Sequence, residues 1–258
     1  MSNTPTTPFD WSPHPLDWQR AAGVLFDLDG VITPTALVHE RAWKALFDWF
    51  LEQRGADHDV ADRSPFTVDD YLRYVDGKPR YLGVRSFLES RGVHLPEGTP
   101  DDEPGHETVC ALGNRKNIEF NQIIEVDGVD AYPGSLALLD HLDSLGVAQA
   151  IVSSSKNAVP VLAAAGLGGR FEIIVDGLVS AELGLHGKPA PDAFLLGAER
   201  LGVDPAQTIV VEDATSGVAA GAAGGFGLVI GVDRGSFTDE LLANGASFVV
   251  KDLGELVP

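Results

Sequence analysis

Two acidic pairs are the residues of this sequence best suited to chemistry. Asp27 and Asp29 stand directly after an apolar run and before Gly30, and Glu212 and Asp213 follow a second apolar run. Carboxylates held in one cleft repel one another, so gathering them costs free energy unless a hard cation is shared between them. Mg²⁺ is the natural cation for such a site, because it prefers a few oxygen ligands together with a substrate phosphate.

A hydroxyl-rich segment and a lysine complement these acids. Ser153, Ser155, Lys156 and Asn157 follow another apolar run, and Lys188 stands directly before a proline. Hydroxyl and ammonium groups supply hydrogen-bond donors and positive charge, which a metal ion does not need but an anion does. A phosphoryl group bound beside Mg²⁺ satisfies both sets of residues.

The elements that must position these residues are predicted from the apolar pattern. Runs rich in branched apolar residues predict six strands, at 23–27, 148–152, 172–175, 208–211, 228–232 and 247–250. The segments between the later runs predict helices at 133–145, 156–165, 190–201, 216–223 and 237–243. Alternating strands and helices imply a doubly wound α/β sheet of parallel strands. Ligands bind such sheets at the carboxyl ends of the strands, so we expect the polar residues above to meet there.

More than 100 residues separate the first two predicted strands, which is too long for the connection inside one βαβ unit. We therefore predict an inserted helical cap domain at 35–131, a core domain formed by 21–34 and 132–258, and a flexible leader at 1–20. Within the insert we predict helices at 36–53, 68–74 and 79–91, a loop at 93–105, and a last helix between 107 and 125.

Composition limits the classes of protein. The chain of 258 residues carries 38 acidic and 18 basic residues, and 44% of its residues are hydrophobic. This hydrophobic share suits a globular protein, and the negative field argues against nucleic acid or anionic membrane as a partner. Cys110 is the only cysteine, which excludes an intramolecular disulfide, and residues 1–20 lack the pattern of a signal peptide. We therefore expect a cytoplasmic monomer.

One uncharged stretch, 214–232, has the length of a membrane helix. It contains six glycines together with Thr215 and Ser216. We therefore predict a helix, a glycine turn and a buried strand in this stretch instead of a membrane span.

Each of these motifs has a structural explanation when it is taken alone. An Asp-x-Asp-Gly segment is usually a turn, and Glu212-Asp213 could cap a helix. The basic residues could be scattered and solvated, although six of the 18 fall in or beside segments expected to face the cleft. These six are Lys78, Arg80, Arg115, Lys116, Lys156 and Lys188. Four motifs in order at successive strand ends favour the catalytic interpretation.

From about residue 22 onward the sequence resembles the haloacid dehalogenase superfamily, which combines a Rossmann-like core with an inserted cap. The four matching motifs are Asp27-Leu28-Asp29-Gly30-Val31, Val152-Ser153-Ser154-Ser155, Lys188-Pro189 and Val211-Glu212-Asp213. The resemblance implies that Asp27 is the nucleophile, which forms an aspartyl-phosphate, and that Asp29 is the general acid and base. It also implies that Ser153, Lys188 and Gly30 bind the transferring phosphate.

The same resemblance implies a Mg²⁺ site. Its ligands would be Asp27, the main-chain oxygen of Asp29, and Asp213, with Glu212 close by. Mg²⁺ is thus the one cofactor that we expect.

A closer resemblance connects the sequence with the β-phosphoglucomutase family. It is carried by Asp27 to Trp43 with Thr35 and His39, by Tyr132-Pro133-Gly134, by Ser153 to Asn157, by Gly77-Lys78-Pro79-Arg80 and by Arg115-Lys116-Asn117. The resemblance implies that Arg80 grips the non-reacting phosphate and that Lys116 contacts the sugar phosphate. It further implies that Ser155, Lys156 and Asn157 complete the distal phosphate site.

The implied activity is the interconversion of β-glucose 1-phosphate and glucose 6-phosphate through bound β-glucose 1,6-bisphosphate. A phosphatase of sugar phosphates or of phosphoglycolate-like substrates is the alternative, because the same four motifs serve enzymes in which water attacks the aspartyl-phosphate. A sensor without turnover is disfavoured, because it would be expected to lack Asp27 or Asp29. Pro34, where the family commonly has aspartate, and a long loop at 93–108 depart from the family pattern, and His39 could be a packing or hinge residue instead of a ligand.

Overall fold

The computed structural model describes residues 16–54, 60, 62–75, 78–235 and 237–258. Contacts divide the chain into two compact units. The sheet unit comprises the described residues up to Pro34 together with Val129–Pro258, and the helical unit comprises Thr35–Gly128. Residues 1–15 of the predicted leader lie outside the described part, and Trp18–Arg20 forms a short 3-10 helix.

The sheet unit is built on six parallel strands in the spatial order β3-β2-β1-β4-β5-β6. The strands are β1 (Gly23–Phe26), β2 (Ala148–Val152), β3 (Ile173–Val175), β4 (Thr208–Glu212), β5 (Leu228–Val232) and β6 (Phe248–Val250). All six predicted strands and the doubly wound α/β class are confirmed, with ends that differ from prediction by at most one residue. The chain leaves β1 in one direction to β2 and β3 and returns on its other side to β4, so β1 lies at the switch point where such sheets bind ligands.

Six helices connect these strands. They are α5 (Pro133–Leu145), α6 (Ala158–Ala164), α7 (Gly177–Leu183), α8 (Asp192–Leu201), α9 (Thr215–Ala223) and α10 (Thr238–Ala243). Helix α5 has Pro133 at its start and Gly146 in the left-handed conformation at its end, which explains its accurate prediction. Helix α7 was not predicted; Asp176 caps it by accepting hydrogen bonds from the backbone amides of Leu178 and Val179.

The uncharged stretch 214–232 folds as predicted, into α9, a glycine-containing turn and the fully buried strand β5. Among the helices in the described part of the chain, none combines the length and the apolar character that crossing a membrane requires. Strands β1, β4 and β5 are buried along their whole length, as is usual for strands covered by helices on both faces.

The helical unit contains α1 (Thr35–Arg54), α2 (Val68–Asp70) with a following π turn at Tyr71–Val75, α3 (Arg80–Ser90) and α4 (Val109–Asp127). All four predicted helices are present, although the predicted helix at 68–74 is shorter and ends in the π turn. Residues 93–108 contain neither helix nor strand. Aromatic contacts form the centre of the core, with the rings of Phe47 and Phe87 separated by 4.0 Å.

Candidate active site

Three strand ends lie level at the carboxyl edge of the sheet. Phe26 of β1 pairs with Ile151 of β2 and with Val211 of β4. The next residues along these strands, Asp27, Val152 and Glu212, are therefore neighbours at the edge. The backbone amide of Asp27 continues the ladder by donating to the carbonyl of Val211 at 2.9 Å. The sheet register thus brings together motifs that are more than 100 residues apart in the sequence.

Lys188 contacts all three of these strand ends. Its Nζ donates to Oδ1 of Asp27 at 2.5 Å, to the carbonyl of Val152 at 3.2 Å and to Oε1 of Glu212 at 2.7 Å. The side chains of Lys188, Asp27 and Glu212 are no more than 10% exposed. Lys188 therefore holds the predicted nucleophile by a buried, charge-assisted contact.

Burial and charge control the protonation of these groups. Burial raises the pKa of Asp27 to about 7; Lys188 lowers it, whereas the negative charges of Glu212 and Asp29 raise it. Burial alone would lower the pKa of Lys188, but Asp27 and Glu212 raise it above its ordinary value. Lys188 is thus a permanent cation, while Asp27 changes its charge near neutral pH.

Asp213 lies against the loop that carries Asp29. A Cβ added to Gly30 would lie 1.8 Å from Oδ2 of Asp213, so only glycine leaves room for this carboxylate. Gly30 also has a φ of +80°, a conformation that other residues rarely adopt. Burial and the charges of Glu212 and Asp27 raise the pKa of Asp213 well above its ordinary value. Asp29, which is half-buried, acts on both Asp27 and Asp213 electrostatically.

Glu212 is held on both carboxylate oxygens. Oε1 accepts from Lys188, and Oε2 accepts from the backbone amide of Ala214 at 2.8 Å. A Cβ on Gly217 of α9 would lie 1.6 Å from Oε1, so this glycine makes room for the side chain. Through these contacts Glu212 holds the ammonium group of Lys188 in place. The carboxylate of Asp213, in contrast, is turned toward the loop at Gly30.

The acidic residues of this edge fit a divalent cation. Burial, followed by neighbouring negative charges, raises the pKa values of Asp27 and Asp213, and a bound cation would favour the ionised form of both carboxyl groups. Within the described ranges, no three His, Cys, Asp or Glu side chains are arranged as a metal cluster. The predicted set needs only two side-chain carboxylates, Asp27 and Asp213, with the main-chain oxygen of Asp29, and Mg²⁺ is commonly held by one or two carboxylates together with water and phosphate.

The segment after β2 forms a compact turn. Ser153 Oγ accepts from the backbone amide of Ser155 at 3.1 Å, and Ser155 Oγ accepts from the backbone amide of Asn157 at 3.1 Å. Ser153 and Asn157 are buried, Ser155 is half-buried and Lys156 is exposed. The two hydroxyls are fixed by local hydrogen bonds at the same edge as Asp27, since Ser153 directly follows Val152.

The helical unit contains a second group of predicted site residues. Lys116, only 3% exposed, has its Nζ 2.6 Å from Nδ1 of His39 and 4.7 Å from the centre of the Phe120 ring. Arg80 donates to Oδ1 of Asn117 at 2.8 Å. Burial lowers the pKa of His39 well below its ordinary value, and the charges of Lys116 and Arg80 lower it further. His39 is therefore neutral beside two cations.

Other predicted residues have different surroundings. Arg115 lies over the ring of Trp49 at 3.6 Å, whereas the adjacent Lys116 lies beside His39. Lys78 donates to Oγ of Ser86 at 2.7 Å. Thr35 is fully buried at the start of α1, and Gly77 lies outside the described residues.

Sequence reasoning missed Arg234, which directly follows Asp233 at the end of β5. Its Nε donates to the carbonyl of Gly30 at 3.0 Å. The signal was present, because Arg234 is a polar residue at the carboxyl end of a predicted strand, as are Asp27 and Ser153.

The chain is similar to proteins of known family. Residues 21–225 match the family described as haloacid dehalogenase-like hydrolase. A β-phosphoglucomutase of Mycobacterium bovis is 46% identical over 243 residues, covering 93% of this chain and 92% of that protein. Hexitol phosphatase A of Escherichia coli is 33% identical over 210 residues, covering 80% of this chain and 81% of that protein.

The fold also matches a solved structure. The crystal structure of a β-phosphoglucomutase from Clostridium difficile has a TM-score of 0.68 and 27% identity, covering 92% of this chain and 93% of that one. The resemblance inferred from the motifs is thereby confirmed. The chain belongs to the haloacid dehalogenase-like hydrolase family and, within it, to the β-phosphoglucomutase-like group.

Proposed function

We propose that this protein is a Mg²⁺-dependent β-phosphoglucomutase that interconverts β-glucose 1-phosphate and glucose 6-phosphate. Phosphorylated Asp27 gives its phosphoryl group to one hydroxyl of the bound sugar phosphate, the resulting β-glucose 1,6-bisphosphate turns over in the site, and Asp27 takes back the phosphoryl group from the other sugar oxygen. The observation that carries the proposal is the contact of Lys188 with Asp27 and Glu212, a buried cation held beside the nucleophile. The 46% identity with the M. bovis enzyme supports the same assignment.

The residues of the sheet edge divide the phosphoryl transfer among them. An oxygen of Asp27 forms a bond to phosphorus while the bond from phosphorus to the sugar oxygen breaks, and Asp29 gives a proton to the leaving oxygen. Asp29 recovers the proton when the next sugar hydroxyl attacks the aspartyl-phosphate. Lys188 and Ser153 bind the phosphoryl oxygens. Asp27, the main-chain oxygen of Asp29 and Asp213 would hold Mg²⁺, which when bound would supply positive charge next to the transferring phosphoryl group.

The helical unit supplies the argument for a mutase over a phosphatase. A mutase must keep hold of a substrate with two phosphates, and so it needs cations away from the reacting group. Lys116 is a buried cation and Arg80 is a half-buried one, and both act on the neutral His39. Burial lowers the pKa of Arg80. An anion bound to them would offset the cost of keeping this charge out of water. We therefore assign Arg80 and Lys116 to the non-reacting phosphate.

We also propose that three residues of the sheet unit bind a phosphate of the substrate. Ser155, Lys156 and Asn157 contribute a hydroxyl, a cation and an amide from the turn after β2. The phosphatase alternative has weaker support, because hexitol phosphatase A is 33% identical, against 46% for the mutase of M. bovis.

Measuring two products from one incubation tests the proposal. The protein is incubated with β-glucose 1-phosphate, Mg²⁺ and a trace of β-glucose 1,6-bisphosphate, and glucose 6-phosphate and free phosphate are quantified separately. We expect glucose 6-phosphate with little free phosphate. Release of one phosphate for each sugar consumed, with no glucose 6-phosphate, would show that the protein is a phosphatase. Asp27→Asn should abolish both products, and turnover by that variant would refute covalent catalysis.

A matched pair of arginine variants separates the two phosphate sites. Arg80→Ala should reduce mutase turnover far more than hydrolysis of a small aryl phosphate, because the small ester has no second phosphate to bind. Arg85→Ala is the control, since Arg85 lies on the same helix but pairs with Glu97 at the surface. Equal losses in both reactions for Arg80→Ala would contradict its assignment to the non-reacting phosphate.

A further inference from the structure

Arg234 joins three segments of the sheet unit. Its Nε donates to the carbonyl of Gly30 at 3.0 Å, and its Nη1 donates to the carbonyl of Lys251 at 3.1 Å and to Oδ2 of Asp252 at 2.9 Å. Its guanidinium carbon lies 3.7 Å from the centre of the Tyr132 ring. One side chain thus connects the loop after β1, the start of α5 and the C-terminal segment.

The contact with Gly30 fixes the peptide plane that follows Gly30 in the loop after β1. The amide of Gly30 donates to the carbonyl of Thr33 at 2.8 Å, which holds the peptide plane between Asp29 and Gly30. The following peptide plane is held by Arg234, through the Gly30 carbonyl. Glycine has the greatest backbone freedom of all residues, so without this second contact its ψ angle would be less restricted. The Asp29 carbonyl belongs to the first plane, and the second plane, joined to the first at the Cα of Gly30, limits how far the first can rotate.

The other end of the connection is itself firmly held. Oδ1 of Asp252 accepts from the amide of Gly254 at 2.8 Å, and a Cβ on Gly134 would lie 1.7 Å from that same oxygen. The amide of Tyr132 donates to the carbonyl of Ile32 at 2.9 Å. Arg234 therefore connects the loop after β1 to residues that are themselves held by hydrogen bonds and close packing.

Charge connects the same residues with the acidic edge. Burial raises the pKa of Tyr132, the charge of Arg234 lowers it, and the charge of Asp213 raises it. Tyr132 thus lies within electrostatic reach of both Arg234 and Asp213. Gly30 also lies between Arg234 and Asp213. Its carbonyl accepts a hydrogen bond from Arg234, and its Cα faces the carboxylate of Asp213.

We infer that Arg234 is a positioning residue for phosphoryl transfer, which acts by fixing the Gly30 carbonyl and thereby the orientation of Asp29. This inference is based on the proposed role of Asp29 as general acid and base. Arginine suits the task because its planar, rigid fork can stack on Tyr132 while donating in two directions. Lysine keeps the charge but has a single flexible donor group, so it cannot replace these contacts together.

Two variants and one control test the inference. Arg234→Gln and Arg234→Lys should both lower kcat by about 10- to 100-fold, because small displacements of a catalytic group have effects of this size. The KM for β-glucose 1-phosphate should change by less than about threefold, since a residue that acts through Asp29 leaves ground-state binding intact. Arg170→Gln is the control. Arg170 is similarly buried in the sheet unit and pairs with Asp140 and Asp143, but it precedes β3 at the opposite edge of the sheet.

The outcomes are distinguishable from failure of the proposed function. The wild-type protein is assayed first for glucose 6-phosphate and free phosphate, and the variants are then compared in whichever phosphoryl transfer it performs. A lower kcat with unchanged KM, and a melting temperature no lower than that of Arg170→Gln, supports the inference. A kcat within about twofold of wild type, or an equal loss in Arg170→Gln, overturns it. If Arg234→Gln does not fold, Arg234→Lys decides by the same criteria.

Discussion

The Nζ of Lys188 lies 2.5 Å from Oδ1 of Asp27, and the same Nζ lies 2.7 Å from Oε1 of Glu212. One buried cation therefore serves two buried carboxylates on adjacent strands. Burial, together with the negative charges of Glu212 and Asp29, explains why the pKa of Asp27 is raised despite its contact with Lys188. Additional positive charge at this edge, such as that of a bound cation, would stabilise the ionised carboxylates.

Lys188→Met should destabilise the metal-free protein by about 3–5 kcal/mol at pH 8, because it leaves buried carboxylates without their cation. Lys188 lowers the pKa of Asp27, so its removal raises that pKa further, and the loss should be smaller at pH 6, where Asp27 is protonated. Urea unfolding at the two pH values measures the difference. Arg73→Met, which breaks an exposed pair with Asp69, should cost less than about 0.5 kcal/mol. Equal losses of unfolding free energy in the two variants would show that the Lys188 contact stabilises the protein no more than an exposed ion pair does.

Gly30→Ala should abolish most phosphoryl transfer. The new methyl group would lie 1.8 Å from Oδ2 of Asp213, so the loop or the carboxylate must move, and a loss in kcat of about 100-fold is expected. Gly146→Ala isolates the cost of positive φ, because Gly146 has a φ of +70° with nothing within 4 Å of the added Cβ. That control should lose about 1–2 kcal/mol of stability and keep its kcat. Full activity in Gly30→Ala would contradict the close approach of Asp213.

Mg²⁺ should bind more weakly at pH 6 than at pH 8. The pKa of Asp27 is raised to about 7 in the folded protein. Because the folded metal-free protein binds this proton more tightly than the unfolded chain does, protonation contributes to stability, and this contribution is lost as the pH rises through 7. Mg²⁺ must displace that proton, which predicts about a tenfold weaker apparent affinity at pH 6. Calorimetric titration with MgCl₂ in the absence of phosphate measures the affinity. The dependence should be reduced in Asp27→Asn, and an affinity independent of pH in the wild type would argue against Asp27 as a ligand.

His39 should remain neutral at pH values where an exposed histidine is protonated. The pKa of His39 is lowered in the folded protein, so as the pH falls through about 6.5 the unfolded chain takes up a proton before the folded protein does. The contribution of His39 to stability is therefore present above that pH and is lost below it. Lys116→Met removes one of the two neighbouring cations and should move the pKa of His39 upward, although burial continues to hold it down. NMR titration of the imidazole measures the shift. Identical titration of His39 in the variant and the wild type would contradict the contact with Lys116.

The sequence by itself determined the secondary-structure elements and the residue types at the ends of the strands. Strands β2 and β5 and helix α5 are found within their predicted bounds, because apolar runs, Pro133 and Gly146 act locally. The positions of Asp27, Ser153 and Glu212 at strand ends follow from the same pattern. Helix α7 was missed because its main signal, the cap at Asp176, is a single residue without a strong apolar period.

Only the tertiary structure decided which of these residues touch. Lys188 and Asp27 are separated by 161 residues, and Arg234 and Gly30 by 204, so neither contact leaves a periodic pattern in the sequence. Adjacent residues also diverge: Glu212 turns toward Lys188 and Asp213 toward Gly30, while Lys116 lies beside His39 and Arg115 over Trp49. Residue type and spacing determine which chemistry is available, whereas strand register and side-chain direction, which depend on packing, decide which groups perform it.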